Sequence, residues 1–117
     1  MDVDKQMEAL GESINEMLAS TAAVKGQAFA DAVAVNFECI QLMDMVGRLT
    51  SLANEDFRDL AVALHTSCMD LAANIGAKSC EDMSDDDVRE VMKMGSALNK
   101  RRKDAAAEIV KGMGDAD

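Results

Sequence analysis

Apolar residues recur along this chain at steps of three and four, and strict alternation is found nowhere. Val3, Met7, Leu10, Ile14, Met17, Thr21 and Val24 follow one another at steps of 4, 3, 4, 3, 4 and 3. At about 100° per residue they share one helix face, with coiled-coil-like regularity over about three heptads. Glu8, Glu12 and Glu16 form an acidic ridge beside it. Gly26 offers a stop after Lys25. If the chain instead runs through it, the first two segments form one long helix.

The second segment, from about Phe29 to Ala53, is the most apolar. Phe29, Val33, Phe37 and Ile40 fall on one side, and Leu42, Met45, Val46, Leu49 and Leu52 nearly opposite. A helix apolar on two sides has neighbours on two sides or bends between them, and Gly47 is the place for a bend. This segment is expected to be the central helix. Asn54-Glu55-Asp56 reads as a helix start, and the stripe Phe57, Leu60, Leu64, Cys68, Leu71 and Ile75 follows, with Gly76 as the stop. Residues 77–83 read as a loop. Ser84 then caps a last helix opened by Asp85, Asp86 and Asp87. Its stripe runs through Val88, Val91, Met92, Gly95, Leu98, Ala105, Ile109 and Val110 to Gly112 and Gly114. Residues 115–117 are expected to fray. The pattern predicts a single all-α domain over 1–117: an antiparallel helical bundle of four helices, or three if the first two are continuous.

Composition agrees and narrows the function. The 117 residues are 49% hydrophobic with no Pro, no Trp and no Tyr, a helix composition. A net charge of −10 argues against direct nucleic-acid binding, which needs a basic surface. No segment approaches the roughly 20 apolar residues of a membrane span. The acidic start Met1-Asp2-Val3-Asp4 is unlike a secretory signal. Cys39, Cys68 and Cys80 are odd in number and lack metal-site spacing, so reduced thiols in a cytoplasm are expected. No cofactor or metal site is expected, nor enzymatic chemistry.

The acidic residues crowd the first part of the chain, where 4 basic residues stand against 12 acidic ones up to Ala77. The basic run Lys100-Arg101-Arg102-Lys103 goes round its helix, so it reads mainly as solvated charge with Arg102 lying along the core edge. As a docking element for an acidic partner it would use Lys100, Arg101 and Lys103. Met43 and Met45 cannot both be buried on one face of the central helix, and flexible methionines suit adaptable contacts. His65 is the only histidine, with Cys68 three residues on. A nucleophilic pair would still need an orienting group and an oxyanion donor.

The stretch from Asp56 to Ala77, with Leu60, Leu64, His65, Thr66 and then Ala72-Ala73-Asn74-Ile75-Gly76-Ala77, resembles the region around the phosphorylated histidine of histidine-phosphotransfer (HPt) domains. Those are acidic four-helix bundles that relay phosphoryl groups between response regulators. The resemblance covers some twenty residues and implies His65 as phospho-acceptor. Where the family has Lys and Gly after its histidine, this chain has Cys68 and Met69.

The residues together point first to a non-enzymatic helical bundle that works through protein contacts, with itself as a homo-oligomer or with another protein. More apolar stripe is present than one copy can cover. The contact residues expected are Met7, Leu10, Ile14, Met17, Met43, Met45, Leu49, Lys100, Arg101 and Lys103. The alternative is a phosphorelay protein using His65. A third reading makes the ridge Glu8, Glu12 and Glu16 a mimic of nucleic-acid phosphates.

Overall fold

The computed structural model describes residues 2–115, with side chains to Gly112. Among them the chain forms α1 (Val3–Lys25), α2 (Gln27–Leu52), α3 (Arg58–Ser79) and α4 (Asp85–Asp115), and no strand. The fold is the all-α helical bundle expected from the spacing. Gly26 settles whether three helices or four: its φ is +97°, a backbone conformation that side chains disfavour. The chain therefore turns at one residue, and the Gly26 N–H closes α1 on the Ala22 carbonyl at 2.9 Å. Ser84 caps α4 as expected, its Oγ accepting from the Asp87 N–H at 3.2 Å.

Three boundaries differ from the sequence reading. Asn54 makes a turn and does not cap the helix; its Oδ1 accepts from the Asp56 N–H at 2.9 Å, and α3 begins only at Arg58. Gly76 does not stop α3, which continues to Ser79, so residues 77–79 of the expected loop are helical. Gly112 and Gly114 do not stop α4 either. Of the tail expected to fray, Asp115 is helical, and residues 116–117 lie outside the described residues.

α2 is the central helix. Each of the others packs on it, α1 and α4 also touch, and α3 approaches α2 alone. Gly47 stands against His65, while Asn36 reaches Ser79, so α2 and α3 are antiparallel. Lys25 pairs with Glu90, and Arg101 donates to Ser13, so α1 and α4 are antiparallel too. α2 and α4 run parallel: Asn36 and Phe37 lie against Gly95, and Asp44 accepts from Asn99. In a closed up-and-down bundle that pair would lie across the diagonal. Here they touch, and α3 is left on the far side of α2.

The core is made by α1, α2 and α4, around Ile14, Phe29, Val33, Phe37, Val91 and Leu98, with Cys80 and Met83 closing one end. The molecule measures 45 × 39 × 17 Å. Its radius of gyration is 16.6 Å, against roughly 13 Å for a compact domain of this length. The α2–α3 half is one helix thick, with no second layer over it.

Candidate interaction surface

α3 meets α2 through its small residues. Ala61, Ala72 and Gly76 are buried, and His65 and Cys68 are half-buried along the same edge. The α3 backbone at Gly76 lies so close to the Asn36 side chain that an added methyl group would stand 2.9 Å from its Oδ1. Asn36 holds the crossing: its amide donates to the Ala32 carbonyl at 2.8 Å and to Ser79 Oγ at 3.3 Å.

With its small edge inward, α3 turns its large apolar residues outward. Leu60, Leu64, Leu71 and Ile75 are 74%, 51%, 63% and 54% exposed. They were expected to face the core, and only Cys68 of that stripe does so. The reason is geometric: at about 100° per residue the stripe lies roughly a quarter turn from the Ala61–Gly76 edge, and only the small edge permits close approach. Val62, Met69 and Ala73 lie on the opposite flank, toward α4. Between α3 and α4 runs a groove of about 430 Å³ floored by Asn36, Cys39, Ile40 and Met43 of α2, with walls of Ala72, Ala73, Gly76 and Ala77 on one side and Val88, Met92 and Ser96 on the other.

The stripe on the later half of α2 belongs to the same surface. Asp44 and Phe37 face α4. Val35, Leu42, Val46 and Leu49 lie on the edge turned away from it. The α3 stripe is likewise turned away from the groove. Both stripes therefore share one broad face of the flat molecule, and Leu42 is well exposed there.

The expected contact residues are scattered over the molecule. Met7 and Met17 are exposed on α1. Leu10 packs against the chain's own core, and Ile14 is part of it. Met43 floors the groove, Met45 is exposed and Leu49 is half-buried. Of the basic run, Lys100 pairs with Asp104 at 2.7 Å, Lys103 with Asp44 at 3.4 Å, and Arg101 reaches Ser13 and Met17 of α1. Arg102 donates to Asn99 Oδ1 at 3.2 Å. This run ties α4 to α1 and α2. Glu8, Glu12 and Glu16 are exposed on α1.

The hydrogen bond from Asn99 and then the Lys103 ammonium hold the Asp44 carboxyl below the usual aspartate range. The Cys39 thiol is pushed up, by burial first and then by Cys68 and Glu38, which keeps it protonated and poorly nucleophilic. His65 lies over Gly47, where an added methyl would stand 3.2 Å from its Nε2. It shares a shallow hollow with Asp44, Arg48, Ser51 and Lys103. No group of three or more His, Cys, Asp and Glu side chains is placed to hold a metal ion among the described residues. No helix there is long and apolar enough to cross a membrane.

Leu60, Leu64, Leu71 and Ile75 were missed as surface residues. Their competitor was visible: Ala61, His65, Cys68, Ala72 and Gly76 recur at steps of three and four, and all but His65, which meets Gly47, are small. Comparison with known protein families, with curated proteins and with solved structures finds no match to this chain.

Proposed function

We propose that this chain is a non-enzymatic helical module that acts through protein contacts, and that its contact surface is the shared α2–α3 face. One observation carries the reading: α3 is anchored by alanine and glycine, while its leucines and isoleucine face water. Contiguous apolar surface of this kind marks an interaction site. The three cysteines are free, as in proteins of a reducing cytoplasm, where the module is placed by this reading. The test is co-purification from the native source with a Leu60→Gln/Leu64→Gln/Leu71→Gln variant. The variant should keep its helical circular dichroism and lose the companions that the natural chain retains. An unchanged set of companions overturns the proposal.

A second reading rests on the surroundings of His65. Arg48 from α2 lines its hollow, a cation of the kind that stabilises a phosphoryl group, while Lys103 from α4 lies there paired with Asp44 at 3.4 Å. In this reading Arg48 stands in for the lysine that the HPt pattern places after its histidine. In this reading the phosphoryl group passes from a receiver aspartyl phosphate to a ring nitrogen, and the aspartate leaves as its carboxylate. A phosphorylated receiver domain should then yield acid-labile phosphate on the chain, lost in His65→Gln. No label on the natural chain removes this reading.

A further inference from the structure

We infer that the occupant of the α2–α3 face is a second copy of the same face, related by a two-fold axis that runs across the helices. The inference rests on the protein-contact reading above and names its partner.

A two-fold interface must match itself. On α3 the exposed stripe Leu60, Leu64, Leu71, Ile75 is symmetric about the point between Ser67 and Cys68. Set antiparallel on its own copy, it brings Leu60 against Ile75 and Leu64 against Leu71. On the outward edge of α2, which holds Val35, Leu42, Val46 and Leu49, the central pair Leu42 and Val46 is symmetric about Asp44. The same operation brings Leu42 against Val46.

These two centres need not coincide, yet they do. Gly47 stands against His65. Antiparallel helices keep pace residue for residue, so Asp44 is level with Cys68. One axis therefore satisfies both helices at once, to within about one residue rise of 1.5 Å. The result is a four-helix bundle made of two α2–α3 pairs, which supplies the layer that each lacks.

Area and charge agree with this occupant. α3 is about 33 Å long at 1.5 Å per residue, and two packed helices are about 20 Å across, a footprint of roughly 650 Å². A standard interface buries about 600–1,000 Å² on each partner. At each end of the stripe the operation sets Lys78 opposite Phe57 of the other copy, next to Asp56 in the turn before α3. Both side chains are exposed, and Lys78 has a local ion pair with Glu81 at 3.0 Å.

The test is light scattering and sedimentation of the full chain from about 1 to 200 µM. The expected mass is twice the chain's 12.5 kDa. Leu64→Glu/Leu71→Glu should weaken the dimer by at least about 100-fold with helicity unchanged, because both side chains are exposed within one copy. Register is read in a Cys68→Ser background: Leu64→Cys mixed with Leu71→Cys should give an oxidised heterodimer that neither forms alone. A monomer throughout, or a dimer untouched by the double glutamate change, overturns the inference. If self-association fails while the glutamine variant above still loses a companion protein, the contact reading stands and only the identity of the partner falls.

Discussion

Two helical glycines carry opposite expectations. Gly11 has nothing within 4 Å of the place where a Cβ would go. Gly11→Ala should therefore stabilise the chain by about 0.5–1 kcal/mol through backbone propensity alone, seen as a thermal midpoint raised by a few degrees. At Gly95 a methyl group would stand 3.2 Å from the Phe37 backbone nitrogen. Backbone cannot step aside as a side chain can, so Gly95→Ala should lower the midpoint despite the same propensity gain, at a net cost of about 1 kcal/mol. Asp44 gives a pH prediction. Its folded carboxyl titrates below the ordinary 3.8, so its contribution is complete above that value and is lost as pH falls through the depressed folded one. Asp44→Asn should be less stable than the natural chain near neutral pH, and the two sets of urea curves should draw together as pH falls below the ordinary aspartate value through the lowered folded one. At this scale the caps were legible where the chemistry is local: Ser84 acts on the N–H three residues on, as its sequence position implies. Gly76 was not. A helix-ending glycine and a close-packing glycine look alike until the neighbouring helix is known, and here that neighbour is Asn36.

Among whole elements, the spacing of apolar residues located all four helices, and their sidedness was harder to read. In α1 the stripe winds around the helix and does not all face inward: Ile14 is in the core, yet Val24 is exposed. In α4, Leu98 faces the core and Met92 faces solvent. Leu98→Ala should cost about 3 kcal/mol in denaturant unfolding, and Val24→Ala should stay within about 0.5 kcal/mol of the natural chain. α3 is the sharpest case. It carries two helical edges of equal regularity, one of large residues and one of small. Burial of apolar area favours the first, and backbone proximity favours the second. The second won because Asn36 of α2 leaves no room for a side chain at Gly76, while Gly47 makes room for the His65 ring. A single-chain pattern does not contain that information, since it belongs to both helices at once.

In the molecule as a whole, stability is unevenly distributed. α1, α2 and α4 enclose Val33 and Val91, which are fully buried, while α3 rests on one neighbour. In the Leu64→Glu/Leu71→Glu protein, amide hydrogens of α3 should exchange well ahead of those of α2 and α4; equal protection would contradict the arrangement. The sequence shows a surplus of apolar surface, and its location became clear only with the tertiary arrangement. The direct α2–α4 contact pushes α3 outward, and that contact depends on Gly95 meeting Phe37 across some sixty residues of chain.

The alanine-and-glycine edge of α3 has a consequence for how such a chain diverges. What secures the helix and what it shows to a companion are written on separate sides of the same cylinder. Descendants could exchange one set of associates for another by altering the outer lettering alone, with the scaffold beneath never having to be solved again.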